Sequence, residues 1–155
     1  MNKTNVMRLL GAAGISYTVK EYPVDESDLS ALHAAEYLGI AADQIFKTLV
    51  LQGSSGNCTV CCVPSSVELD LKKTAKAAGE KSIALVPVKD IQPLTGYVRG
   101  GCSPIGMKKQ YPTFIDESAR LFDTICVNAG ERGILLLLSP EELAVFINAE
   151  FADLT

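Results

Sequence analysis

The chain has 155 residues, 48% apolar and 21% charged, the composition of one globular domain spanning 1–155 with material for a proper core. A formal charge of −4 argues against a general nucleic-acid coat protein, and no stretch approaches the roughly 18 uncharged apolar residues of a membrane span. Segment 1–14 carries Lys3 and Arg8 but no continuous apolar run with a cleavage site, so an amphipathic helix and a cytoplasmic protein are expected.

In chain order, Thr4 caps a first helix with Val6, Leu9, Leu10 and Ala13 on one face, and Gly14 ends it. Residues 15–22 alternate as a strand, with Ile15, Tyr17 and Val19 on one face and Tyr22 at its end, before Pro23 stops it. An acidic loop from Asp25 to Asp28 leads into a helix ending near Leu38 and Gly39. A turn over 42–46 feeds a strand from Lys47 to Gln52. Gly53-Ser54-Ser55-Gly56-Asn57 reads as a hairpin turn into a second strand, Cys58 to Val63. Asp70 caps a helix that Gly79 closes. Residues 82–86 form a strand and 90–94 a helical turn. Strands follow at 113–115, 124–128 and 134–138. Ser139-Pro140-Glu141-Glu142 is a capping box that opens a last helix. Strands outnumber helices and adjoin in hairpins, which predicts a mixed, mainly antiparallel α/β barrel-like sheet surrounded by helices.

The five cysteines are Cys58, Cys61, Cys62, Cys102 and Cys126. An odd count crowded in this way is a poor disulfide framework. No second cysteine pair accompanies Cys58-x-x-Cys61, and His33 is the single histidine, so no metal site is expected. The cysteines read as small apolar core residues. Charge is unevenly spread. Residues 47–109 hold nine basic and four acidic side chains, whereas both flanking segments are acidic. The middle third either presents one positive face to a phosphate-bearing ligand or scatters its lysines over helix surfaces.

Two places invite chemistry. Lys47 opens an apolar strand, Phe46 to Leu51, and shares a face with Leu49 and Leu51. A lysine there either snorkels outward or awaits an anion. Residues 95–109, TGYVRGGCSPIGMKK, place four glycines within Gly96–Gly106, with Pro104 stiffening the segment and Lys108 and Lys109 at its exit. Glycine lets a backbone approach a ligand closely and aim its N–H groups at an oxygen; the alternative is a mobile connector. A phosphate-loop register fails, because Met107 stands where lysine belongs, and the dinucleotide spacing is absent. Cys102 is a nucleophile by position alone, for no histidine lies near it in sequence.

Phe46-Lys47-Thr48-Leu49, Leu69-Asp70-Leu71-Lys72-Lys73, Thr95-Gly96-Tyr97, Gly100-Gly101-Cys102-Ser103-Pro104-Ile105-Gly106, Pro112-Thr113-Phe114-Ile115-Asp116 and Gly130-Glu131-Arg132-Gly133 occur in an order that resembles the YbaK/EbsC family, over about 7–153. That family comprises Cys-tRNA(Pro) deacylases related to the editing domain of bacterial prolyl-tRNA synthetase. The resemblance implies that fold, and hydrolysis or cyclisation of an aminoacyl ester at the tRNA 3′ end with no cofactor. A synthetase pocket rejects a side chain of similar size only weakly, hence a second site for the error. It further implies that Lys47 holds the terminal adenosine or its phosphate. The Gly100–Pro104 loop (Gly100, Gly101, Cys102, Ser103, Pro104) would supply N–H groups near the ester carbonyl, and Tyr22 and Thr48 would line the pocket. The substrate's own thiol would attack, giving a thiolactone. Prolyl-tRNA synthetase is an implied docking partner. Some members carry an acidic residue two positions after the R-G pair, where this chain has Leu135, so a related editor of alanine and a non-catalytic tRNA- or synthetase-binding module are the alternatives.

Overall fold

The structure is a computed structural model and describes residues 2–155; Met1, where the first-helix reading begins, lies outside the described residues. Helix α1 spans Asn5–Ala12, and Thr4 caps it by accepting the Met7 N–H at 3.3 Å. Its apolar positions three and four apart bury Val6, Met7 and Leu10. Strand β1 is Thr18–Glu21 and α2 is Ala31–Leu38, closed by Gly39 in the left-handed region. A 3₁₀ turn at Ala42–Gln44 leads to the hairpin of β2 (Phe46–Gly53) and β3 (Cys58–Pro64). Asp70 accepts the Lys73 N–H and starts α3 (Leu71–Ala78). Then come β4 (Ile83–Leu85), α4 (Val88–Thr95), β5 (Thr113–Asp116), a 3₁₀ turn at Glu117–Leu121, β6 (Ile125–Asn128), β7 (Ile134–Leu138), α5 (Pro140–Phe146) and β8 (Glu150–Ala152).

The sheet departs from the expectation of one barrel-like surface. Among the described residues the strands form two sheets, β1-β7-β6 and β4-β2-β3-β5-β8. Antiparallel pairing dominates, as expected, but β3–β5 and β5–β8 run parallel. The two sheets meet at a single parallel bridge, Ile45 with Cys126, and do not close. Both nevertheless cover one core, in which Val6, Met7, Leu10, Phe46, Cys62, Ile115, Val127, Leu136 and Leu143 pack together. Each such side chain contributes about 1.5–3 kcal/mol. A second cluster, with Leu51, Cys61, Val63 and Leu154, lies under α3. A third, with Ala34, Ile45, Cys126 and Leu135, lies under α2.

Strand alternation explains two features of the composition. Cys58 and Cys61 are three apart in β3 and so leave opposite faces. They cannot share a ligand, and all five thiols are free. Leu135 belongs to the cluster under α2 and is buried there. No helix of the described residues is long and apolar enough to cross a membrane.

Candidate active site

The glycine-rich segment leaves α4 and crosses to β5. Its first part is a turn, Val98-Arg99-Gly100-Gly101, closed by the Gly101 N–H donating to the Val98 carbonyl at 2.9 Å. Gly100, third in the turn, has φ +84°, the conformation a type II turn demands of that position. Gly101 is needed for a different reason. A Cβ there would sit 3.1 Å from the Arg132 backbone nitrogen and 3.3 Å from the Glu131 carbonyl carbon, so the loop rests directly on the β6–β7 connection. That connection also grips the turn's carbonyls. Arg132 Nε donates to the Arg99 carbonyl at 2.9 Å, and Asn128 Nδ2 donates to the Gly100 carbonyl at 3.2 Å. The Asn128 side-chain oxygen Oδ1 meanwhile accepts the Gly130 N–H at 2.6 Å.

These bonds decide which N–H groups remain. The Gly101 N–H, a candidate donor from sequence, is spent inside the turn. Among the described residues the N–H groups of Gly100, Cys102 and Ser103 find no hydrogen-bond acceptor, although Ser103 is wholly buried. Buried N–H groups without a partner are rare and costly. Pro104 has none to satisfy. Ser103 Oγ accepts the Ile105 N–H at 3.2 Å, and the Tyr97 hydroxyl donates to the Ile105 carbonyl at 2.5 Å, which pins the far end of the loop.

Lys47 is placed by strand register. Ile45 pairs with Cys126 in parallel, and β2 packs against β6. Two residues onward from that bridge, on the strand faces of Ile45 and Cys126, come Lys47 in β2 and Asn128 in β6. Partial burial pulls the Lys47 ammonium below its usual range, Glu68 opposing weakly, and no ion pair holds it among the described residues. Tyr22 follows β1, its N–H donating to the Gly133 carbonyl, and its phenol is pushed up by burial. Its ring meets that of His33 edge-on at 6.0 Å, while His33 Nε2 donates to the Pro23 carbonyl at 2.9 Å. Tyr22, Asp25, Asp28, Leu29, Gly100 and Arg132 enclose a small cavity of about 10 Å³.

Thr48 points the other way. It lies opposite Cys62, and its Oγ1 is the one buried side-chain polar atom left without a partner among the described residues. The Cys62 thiol is close enough to feel the hydroxyl but makes no hydrogen bond of ordinary geometry with it. Cys102 in turn influences Cys62 and stands by Thr95. Burial raises the Cys102 thiol to about 11, which removes it as a nucleophile near neutral pH. Of the predicted residues, Tyr22 and Gly100 meet at the small cavity, Ser103 is buried beneath the loop and Cys102 stands by Thr95, while Thr48 and Lys47 belong to opposite faces of β2. Sequence reasoning missed Asn128 and the segment 25–29, and it quoted Arg132 within a motif without giving it a place in the site. A larger cavity of about 280 Å³ lies beyond Pro104–Gly106, lined by Leu9, Tyr111 and Phe146; Lys47, Tyr22 and Thr48 do not border it. No group of three His, Cys, Asp or Glu among the described residues forms a metal site.

Residues 26–146 match the model of a family described as "Aminoacyl-tRNA editing domain". Over 153 residues the chain is 46% identical to "Putative Cys-tRNA(Pro)/Cys-tRNA(Cys) deacylase EbsC" of Enterococcus faecalis, covering 99% of this chain and 93% of that one. It is 27% identical over 122 residues to "Uncharacterized protein YwhH" of Bacillus subtilis, covering 79% and 77% of the two chains. A crystal structure of "a putative trans-editing enzyme for prolyl tRNA synthetase" matches with a TM-score of 0.84 at 27% identity, over 99% of both chains.

Proposed function

From the aminoacyl-tRNA editing family of YbaK/EbsC type, to which this chain belongs, we propose that the protein clears mischarged Cys-tRNA(Pro) in trans by breaking its aminoacyl ester. The observation that carries this reading is the set of unpaired N–H groups at Gly100, Cys102 and Ser103, held on a loop whose carbonyls are drawn back by Arg132 and Asn128. Such donors stabilise the oxyanion that develops when an ester carbonyl is attacked.

In this mechanism Lys47 holds the phosphate of the terminal nucleotide, an anion suited to a half-desolvated ammonium. Tyr22 and Thr48 shape the pocket. The cysteinyl thiol of the substrate supplies the nucleophile. Its sulfur bonds to the ester carbonyl carbon, and the bond from that carbon to the ribose oxygen breaks. The thiol proton ends on the departing ribose hydroxyl, leaving a cyclic thiolactone and free tRNA. The raised Cys102 thiol and the engaged His33 ring fit a site that brings no nucleophile–base pair of its own. The basic middle third attracts the acceptor end, and docking on prolyl-tRNA synthetase supplies tRNA selection.

The test is clearance of Cys-tRNA(Pro), Cys-tRNA(Cys) and Ala-tRNA(Pro) by the wild type and Lys47→Ala. Cysteine is released and alanine spared, because alanine has no thiol. Lys47→Ala loses about tenfold to hundredfold, the worth of a charge-assisted hydrogen bond. Clearance of alanine at the cysteine rate sinks the thiol mechanism, and a wild-type rate in Lys47→Ala sinks the role of the lysine.

A further inference from the structure

We propose that Arg132 is a positioning residue whose Nε–H, by holding the Arg99 carbonyl, fixes the orientation of the Gly100 N–H as a donor to the reacting carbonyl; this rests on the deacylase reading above.

The argument begins with the turn. Val98–Gly101 is closed by one backbone hydrogen bond, and its central peptide joins Arg99 to Gly100. In a trans peptide the C=O and N–H point in opposite directions. Turns of types I and II differ chiefly by a flip of that central peptide. With the closing bond unchanged, the Gly100 N–H could therefore face either side. Glycine at position 100 tolerates both states, so the sequence of the turn does not choose.

Arg132 makes the choice. Its Nε lies 2.9 Å from the Arg99 carbonyl, and a Cβ built on Gly100 would be 3.4 Å from the same Nε. The guanidinium is thus laid along the turn, with one N–H spent on the carbonyl. The Gly100 N–H must then face away from it. Asn128 secures the next carbonyl, that of Gly100, so two consecutive carbonyls of the loop are tied to one connection. No carboxylate pairs with Arg132 among the described residues, so its contact in the protein is this main-chain oxygen.

The experiment compares Arg132→Lys, Arg132→Ala and, as a control for losing a surface arginine, Arg120→Ala, whose partner is Glu141. Lysine keeps the charge but lacks an N–H at the Nε position. Three readouts are taken: kcat and KM on Cys-tRNA(Pro), melting temperature, and the amide resonance of Gly100. Both Arg132 variants lower kcat by about tenfold to hundredfold, as expected of a misplaced reacting group. KM stays within about twofold, and the Gly100 resonance moves in both. Arg120→Ala, which gives up the Glu141 pair and a stack on the Phe151 ring, leaves kcat, KM and the Gly100 resonance unchanged. Full activity in Arg132→Lys, with the Arg132→Ala loss confined to KM, would show a charge contact with substrate and overturn the proposal. A lowered melting temperature with unchanged kcat would show a structural role and overturn it too. If the wild type leaves Cys-tRNA(Pro) intact, the substrate reading falls, and the Gly100 resonance still decides the orientation: no movement in Arg132→Lys refutes it.

Discussion

Replacing Gly101 by alanine isolates the geometry of the loop from its chemistry. Gly101 is outside the positive-φ glycines, so alanine is permitted there by its backbone. The obstacle is the main chain of Glu131 and Arg132, at 3.1, 3.3 and 3.5 Å from the new methyl carbon. Neither flank is a flexible side-chain tip, so relief requires the loop to lift by about 0.3–0.5 Å to regain ordinary contact. Overpacking of this kind costs about 1–2 kcal/mol, and the melting temperature falls by about 4 °C. The rate effect is larger. Donors to an oxyanion work at about 2.7–3.1 Å, and losing one outright costs about 10²–10³ in kcat. A lift of that size should cost about tenfold or more. Single-turnover deacylation of Cys-tRNA(Pro) measures it, with Gly11→Ala as comparison. Gly11 lies in α1 with open space around it, so alanine there raises stability by about 0.5–1 kcal/mol and leaves turnover alone. A Gly101→Ala protein with wild-type kcat and a lowered melting temperature would refute the placement of the loop in the chemistry.

Thr48→Val removes the orphaned hydroxyl at nearly constant shape; it should raise stability by about 1 kcal/mol while lowering turnover, and a drop in melting temperature would contradict it. Asp116 is buried and accepts the Leu154 N–H at 2.9 Å and the Ser118 hydroxyl at 2.5 Å. Its replacement by alanine strands a buried donor, so urea unfolding should report a loss of about 2 kcal/mol; a change below about 0.5 kcal/mol would show the bond to be dispensable. Alkaline pH should unfold the protein. Burial holds the thiols of Cys61 and Cys126 at about 12 and that of Cys102 at about 11, with Cys62 raised further. Unfolded thiols ionise near pH 8.5, so the stabilisation is complete below that pH and drains away as pH rises toward 11–12. Each thiol adds a slope of about 1.4 kcal/mol per pH unit, and Cys126→Ala should remove one such slope from urea melts taken between pH 8 and 11; an unchanged slope would deny that Cys126 is protonated in the fold.

Much of this structure is written in local signals. Thr4, Asp70 and Ser139 cap helices where their hydroxyl or carboxylate chemistry says they should. Gly39 and Gly79 close helices in the left-handed conformation. The hairpin of β2 and β3 follows from two apolar runs around a polar turn. The parallel pairings were hidden, because β3 meets β5 only after some fifty intervening residues, and nothing local encodes a partner so distant. Strand β8 escaped notice since three residues carry too little alternation to register. The helical turn expected over 90–94 is a full helix, Val88–Thr95, that accommodates Pro93. At the site, Gly100 and Lys47 stand out by composition. Asn128 does not, for an asparagine ending a short strand looks like an ordinary turn residue until its two hydrogen bonds are seen.

The β6–β7 connection grips the loop through main-chain oxygens, those of Arg99 and Gly100, rather than through the side chains of those two residues. The Arg99 side chain is therefore free to mutate without unseating the donors, and Cys102 stands among Thr95, Tyr97 and Cys62. A lineage carrying this scaffold can alter the walls that meet a substrate side chain one residue at a time while the catalytic frame stays still. Retuning which error is corrected then demands few coordinated changes, and the frame can outlast several changes of substrate.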